Sequence, residues 1–290
     1  MAREGTVASD YGAGYYRDYA ESGPSYEHNE HWIDFFGKIA DRLIQDFHPR
    51  TAFDAGCAIG LLVEALRDRG VEAEGVDFSE YAIAAARDDI RGFLRVGSVT
   101  DPLPKRYDLI TCFEVLEHLT PEDAERAIAN LCAFSDDLVV SSTPMHYRDP
   151  THTNIHPQEY WSEQFARHGF IRDVDYDALF IAPWAARYRR SDAPLHRVVA
   201  DYDRVYSRMR HELQERNALV VDQMRQIDQL QDRVRSLEAR AGWSERPAAR
   251  LAKRMDDAAV VAAPPGTVRW SILRSLAHAA ERLMRRPPEP

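Results

Sequence analysis

The residues best suited to chemistry in this chain stand in Glu114-Val115-Leu116-Glu117-His118 and, further along, in Thr151-His152-Thr153-Asn154-Ile155-His156. If a helix starts near Glu114, positions 114, 117 and 118 share one face, because residues three and four apart are neighbours on a helix. Two carboxylates and an imidazole on one face can hold a divalent ion such as Mg2+, with His152 as a fourth ligand from the later loop. A histidine can also take a proton from an acceptor. His152, a loop histidine with no core-packing role to explain it, is the candidate general base, and His146 and His156 are further histidines of the same stretch.

A second constellation reads as a ligand cradle. The short apolar run from Arg50 ends in Asp54-Ala55-Gly56-Cys57-Ala58-Ile59-Gly60, after which a helical pattern begins at Leu61. Gly56 and Gly60 allow positive φ and close approach of a ligand, and the free N–H groups at the start of the helix face the same crevice. The spacing D-x-G-x-x-x-G lacks the G-x-x-x-x-G-K-[ST] of a phosphate loop and the G-x-G-x-x-G of a dinucleotide site. Asp77 closes the next strand roughly 20 residues later, where doubly wound folds hold ribose hydroxyls.

The elements that must carry these residues follow from periodicity. Trp32, Phe35, Phe36, Ile39, Ala40, Leu43, Ile44 and Phe47 predict an amphipathic helix ahead of the first strand. A helix over 61–69, closed by Gly70, leads to strands at 73–76, 93–96 and 107–114, and a later helix starts at Gln158 and is closed by Gly169.

In order, the motifs D-A-G-C-A-I-G, G-V-D-F-S, G-S-V-T-D, Y-D-L-I-T-C-F-E-V-L-E-H and L-V-V-S-S-T-P resemble those of the class I S-adenosylmethionine-dependent methyltransferases over residues 11–182. The resemblance implies an α/β fold with a Rossmann-like, doubly wound, mostly parallel seven-stranded sheet, here followed by an α-helical coiled coil. It also implies antiparallel edge strands near 171–175 and 178–181. S-adenosylmethionine would then sit against Gly56, Cys57 and Gly60, with Asp54 near its methionine end and Asp77 accepting both ribose hydroxyls. Phe78 would lie on the adenine, Ser98 or the Val99 backbone would meet the base edge, and Phe113 and Glu114 would line the pocket. Many relatives place an acid where Ser98 stands, so a hydroxyl or backbone contact must substitute.

The E-x-x-E-H cluster with a later histidine is similar to that of metal-dependent relatives, the ubiquinone-pathway O-methyltransferases and small-RNA 2′-O-methyltransferases. That likeness implies Glu114, Glu117, His118 and His152 as ligands of a divalent ion that holds the acceptor hydroxyl, with a histidine taking its proton. Metal-free methyltransferases carry the same short motif, with the first Glu lining the cofactor pocket and the His capping or packing. The run H-x-N-x-H-P-Q-E-Y-W resembles bacterial methyltransferases of glycan and secondary-metabolite pathways, which implies a small, sugar-containing acceptor. Alternatives are an RNA 2′-O-methyltransferase and a cofactor-binding scaffold without transfer activity.

Charge and composition bound these readings. Residues 1–190 hold 19 Lys and Arg against 33 Asp and Glu, whereas residues 191–290 hold 18 against 14, within a total of −10. The acidic catalytic part disfavours nucleic acid. Cys57, Cys112 and Cys132 suit free thiols. No run approaches the roughly 18 apolar residues of a membrane span, and the N-terminus lacks a signal core, so a cytoplasmic protein is the expectation.

The domains expected are a methyltransferase domain over 1–190, a coiled coil over 195–241, and a linker with a basic amphipathic helix over 242–290. Tyr11, Tyr15, Tyr16, Tyr19 and Tyr26 make residues 1–30 either a lid over the cofactor or an extension packed on the sheet. From Leu195 to Ala241 apolar residues recur in steps of four and three. Val220, Ile227 and Val234 take a positions and Leu230 and Leu237 take d, the pattern of a parallel homodimer; the alternative is a helix folded back on the catalytic domain. Around Trp270, Leu273, Leu276 and Leu283 the tail gathers arginines, suited to the anionic inner membrane surface, to a partner protein, or to docking on its own dimer.

Overall fold

The computed structural model describes residues 11–18, 25–144, 149 and 151–241. Tyr19, His146 and the 242–290 linker and basic helix lie outside the described residues. The chain divides into two units, residues 1–207 and 208–290.

In chain order the elements are α1 (Ala13–Asp18), α2 (Glu30–Phe47), β1 (Thr51–Ala55), α3 (Leu61–Arg67), β2 (Glu72–Asp77), α4 (Glu80–Ala85), β3 (Leu94–Val96), β4 (Leu109–Phe113), α5 (Pro121–Phe134), β5 (Asp137–Ser141), α6 (Gln158–Arg167), β6 (Phe170–Arg172), β7 (Ala186–Arg190) and α7 (Leu195–Ala241). The strands form one seven-stranded sheet in the order β3-β2-β1-β4-β5-β7-β6. All neighbours are parallel except β7, which runs antiparallel to both β5 and β6. This is a Rossmann-like, doubly wound sheet whose strand order reverses between β1 and β4, where a crevice opens beyond the carboxyl ends.

Alternation explains why the central strands bury both faces. Phe53, Ile110, Leu138 and Val140 point into a core shared with α5 and α6. Ala52, Leu109 and Val139 point the other way, into a core shared with α2 and α3. Side chains alternate with period two, so a continuous apolar run is what a strand covered on both sides requires. Helix α2 is fixed at its start by the Asn29 side chain, which accepts the Trp32 N–H at 3.2 Å, and it buries Ile39, Ala40 and Leu43.

Two local expectations need correction. The second antiparallel strand lies at Ala186–Arg190, not at 178–181, which forms turns. Its sequence Ala-Arg-Tyr-Arg-Arg looks polar, yet Ala186 and Tyr188 are buried while Arg187 pairs with Asp137 at 2.6 Å and Arg190 with Asp136 at 2.5 Å. Nor does a helix start at Glu114. Its φ is +54°, and only a short 3-10 turn over Leu116–His118 follows before α5. The i, i+3, i+4 face assumed for Glu114, Glu117 and His118 therefore does not form.

Helix α7 runs for 47 residues. Leu195, Val199, Tyr206, Met209, Leu213, Leu230, Val234 and Leu237 on its heptad stripe are exposed. Among the described residues, no helix is long and apolar enough to cross a membrane.

Candidate active site

The glycine loop follows β1 and is stitched to β2 by two bonds, from Gly56 N–H and Cys57 N–H to the Val76 carbonyl at 2.8 and 2.9 Å. Gly56 has φ +84°, and a Cβ there would stand 2.2 Å from Val115 Cγ2. Gly60, at φ +76°, begins α3, and a Cβ there would stand 2.5 Å from Leu94 Cδ1. Both positions therefore need glycine for conformation and for space. Between them Ala58 holds φ +47° without that freedom, and its N–H donates to Asp77 Oδ2 at 2.8 Å.

Asp77 is buried at the end of β2. Its other oxygen, Oδ1, accepts the Ser79 N–H at 2.9 Å. Burial pushes its pKa up, and the backbone donors oppose that shift. Phe78 N–H is a third backbone donor to this carboxylate, whose two oxygens offer about four lone-pair positions, so it keeps acceptor capacity for a ribose hydroxyl. Asp54, on β1, accepts the Thr111 hydroxyl at 2.6 Å. Burial pushes it up to about 7, Thr111 opposing and the Asp77 charge adding to the rise.

Cys57 packs its side chain toward β2, where a Cβ on Gly75 would come within 2.8 Å of its sulfur. Its thiol and that of Cys112 are raised well above the ordinary value by burial, so neither is a nucleophile. Ser98 is turned into its own loop: its N–H bonds to Asp101 Oδ2 at 3.0 Å and its Oγ accepts the Thr100 N–H at 3.1 Å. The Val99 carbonyl takes the Asn130 amide at 2.8 Å and the Ser98 carbonyl takes the Asp101 N–H at 3.1 Å, so of the backbone groups expected at a base edge the Val99 N–H is left to that role.

The N-terminal tyrosines lie over this end of the sheet. Tyr11 and Tyr16 are buried and pack with Ile59, Leu61 and Ala82, beside Phe78. The Tyr11 carbonyl accepts the Ser79 hydroxyl at 2.7 Å, its ring meets Phe78 edge-on at 4.7 Å, and its hydroxyl lies 2.9 Å from His118 Nδ1. One residue thus touches both the Asp77 end of β2 and the histidine cluster. Sequence reading singled out the tyrosines as a group, without a signal for that bridge.

On the other side of the crevice, Glu117, His118 and His152 bring one ligand atom each to within 4.8 Å of one another. The 151–156 loop is pinned there by Thr153 and Asn154, whose N–H groups both reach the Glu117 carbonyl at 2.9 Å. The Glu117 side chain is fully buried; its Oε1 accepts the Thr143 N–H at 3.1 Å, while Oε2 meets no donor. Burial first, and then the adjacent Glu114 carboxyl, push Glu117 well above the usual carboxylate range. A proton shared between the two carboxyls, or a cation at Oε2, would satisfy the orphaned oxygen. Burial and then His152 hold His118 down to about 4, so its ring is neutral at pH 7.

Glu114 is not part of the cluster. Its left-handed backbone turns the side chain to Trp184, whose indole N–H donates to Oε1 at 2.7 Å. The expected four-ligand set is therefore a carboxylate and two imidazoles. The buried Oε2 and the neutral His118 fit a divalent ion, and two nitrogen donors suit Mn2+, Fe2+ or Zn2+ better than the oxygen-seeking Mg2+. His156 stands apart, bonded to Asn154 Oδ1 at 2.9 Å and stacked on Tyr160 at 3.7 Å.

The chain is similar in part to several known proteins. Residues 26–174 match a family described as "Methyltransferase domain". The chain is 33% identical over 92 residues to a ubiquinone biosynthesis O-methyltransferase of Idiomarina loihiensis, covering 29% of this chain and 37% of that protein. It is 31% identical over 102 residues to the Nitrosomonas europaea enzyme of the same name, covering 32% and 42%. The chain thus spans about two fifths of the length of these curated relatives. Among solved structures, it is similar to magnesium protoporphyrin IX methyltransferase from Synechocystis PCC 6803 with bound SAM, at 21% identity and TM-score 0.45 over 55% of this chain and 79% of that one. It is also similar to SAM-bound CalS10, an amino pentose methyltransferase from Micromonospora echinaspora, at 17% identity and TM-score 0.48 over 66% and 100%.

Proposed function

This chain belongs to the methyltransferase domain family, and on that premise we propose that it transfers a methyl group from S-adenosylmethionine to a hydroxyl oxygen of a small, sugar-containing acceptor. The observation that carries this reading is a juxtaposition. A glycine cradle with a buried acid and a proton-accepting histidine cluster share the carboxyl edge of one sheet, on either side of its switch point, with Tyr11 touching both.

Asp77 would hold the ribose hydroxyls, Phe78 the adenine, and the Gly56–Gly60 backbone the rest of the cofactor; the buried Asp77 carboxylate at the end of β2 fits such a ligand. When bound, S-adenosylmethionine supplies a methyl group already activated on its sulfonium. The chain must then align an oxygen with that methyl and remove a proton. His152 takes that proton, beside Asp149, whose Oδ2 lies 3.6 Å from His152 Nε2. Were Glu117, His118 and His152 to hold a divalent ion, which would lower the pKa of the acceptor hydroxyl, His152 would serve as a ligand and not as the base.

The acidic 1–190 region supports a small acceptor over a polyanion. The exposed heptad stripe of α7 supports pairing with a second copy, and the tail beyond it adds a membrane or protein contact. Free, buried Cys57, Cys112 and Cys132 suit a reducing compartment such as the cytoplasm.

The test is methyl transfer from labelled S-adenosylmethionine to parallel sugar, phenol and RNA acceptors, with and without chelator and with added Mn2+ or Mg2+. Label on a sugar or other small hydroxyl is the expected result. Label on RNA alone contradicts the acceptor, and full activity in excess chelator removes the metal.

A further inference from the structure

The turn that follows β3 is held both from within and from outside. Gly97 N–H donates to the Asp77 carbonyl at 2.9 Å, which ties the turn to the end of β2. The Ser98 and Asp101 N–H groups bond across it, to Asp101 Oδ2 and to the Ser98 carbonyl, and the Thr100 N–H reaches Ser98 Oγ. These bonds use the N–H groups of Gly97, Ser98, Thr100 and Asp101 and leave that of Val99, the second residue of the turn.

From outside, one side chain of α5 takes two of the turn's carbonyls. Asn130 Nδ2 lies 2.8 Å from the Val99 oxygen and 2.7 Å from the Asp101 oxygen. A primary amide carries two hydrogens on its nitrogen and only lone pairs on its oxygen. Facing two carbonyls it must present the nitrogen, with one hydrogen to each. Asn130 stands beside Ala127 and Leu131, whose burial fixes α5 to the core. The turn is thus joined to a packed helix through Asn130 and to the sheet through Gly97. A donor fixed before its ligand arrives costs less ordering on binding than one that must be fixed then.

We propose that Asn130 is a positioning residue for the cofactor's base: it holds the 98–101 turn so that the Val99 N–H meets an unprotonated ring nitrogen of adenine. The inference rests on the reading of the Asp77 crevice as the S-adenosylmethionine site. It assigns to α5, 31 positions along the chain from Val99, a part in base recognition that the turn's own residues do not supply.

Titration calorimetry of the full chain compares S-adenosylhomocysteine with S-ribosylhomocysteine, which keeps the ribose and homocysteine and lacks the base. Asn130→Ala should fold, since alanine suits a helix and the contact to Asp101 is exposed to water. It should raise Kd for S-adenosylhomocysteine roughly tenfold, about one forfeited hydrogen bond. Kd for S-ribosylhomocysteine should stay at the wild-type value. Asn130→Asp keeps the shape but sets carboxylate oxygens against the two carbonyls, and should show the same selective loss. Melting curves establish that each variant is folded.

A folded Asn130→Ala or Asn130→Asp that binds S-adenosylhomocysteine as tightly as wild type overturns the proposal. So does an equal loss for both compounds, which a general loosening of the crevice would give and a clamp on the base side would not. Failure of the wild type to bind either compound overturns the cofactor reading, and this inference with it.

Discussion

Replacing Asp77 by Asn separates ligand binding from folding. The wild-type carboxylate accepts Ala58 N–H and Ser79 N–H at 2.8 and 2.9 Å, with Phe78 N–H a third backbone donor, and keeps acceptor capacity for a ribose hydroxyl. Asn keeps only one acceptor atom and no charge, so the ribose loses a charge-assisted partner. A hydrogen bond to a charged group contributes roughly 1.5–3 kcal/mol, which converts to a loss of about 10–150-fold in affinity. Folding should change little. Burial already disfavours the charged form of Asp77, so removing that charge offsets the roughly 1 kcal/mol lost where an amide N–H would face Ser79. Titration calorimetry with S-adenosylhomocysteine, alongside melting curves, checks both halves. The account expects Kd to rise at least tenfold with Tm moved by only a few degrees. A folded variant that binds within threefold of wild type would refute the assignment of Asp77 to the ribose.

Other substitutions probe the remaining parts. Gly56→Ala should destabilise the fold by several kcal/mol, because the new Cβ stands 2.2 Å from Val115 Cγ2 at φ +84°; urea midpoints measure this, and a change under about 1 kcal/mol contradicts the need for glycine. Asp54 is raised from 3.8 to about 7 in the fold, so its contribution is present below pH 3.8 and lost as pH rises through 7. Wild type should therefore lose on the order of 4 kcal/mol relative to Asp54→Asn between pH 4 and 7.5, and a pH-independent difference in urea stability would argue against the buried acid. If α7 pairs with a second copy, the full chain should sediment as a dimer and Ile227→Glu as a monomer; a monomeric wild type contradicts the pairing.

Much of the fold was legible because its central strands obey a simple constraint. β1, β4 and β5 are covered on both faces, so their runs are mostly apolar, and Gly56, Gly60 and Asp77 stand where the sheet meets its crevice. Legibility failed where tertiary pairing overrides local character. β7 carries three arginines in five residues and reads as a polar loop, yet Asp136, Asp137 and Asp173 take up those charges. At Glu114 the motif suggested a helical face, but a left-handed backbone sends that side chain to Trp184, a partner 70 positions away in sequence. Tyr11 and Thr151 gave no local sign of reaching His118, since both contacts depend on how distant loops close over the sheet edge.

The most direct measurement is calorimetric titration of the purified full chain with S-adenosylmethionine and with S-adenosylhomocysteine. Saturable heat with one site per chain, diminished in Asp77→Asn, is the predicted outcome. No heat with either compound from folded protein would contradict the proposal that the β1–α3 turn and Asp77 hold this cofactor.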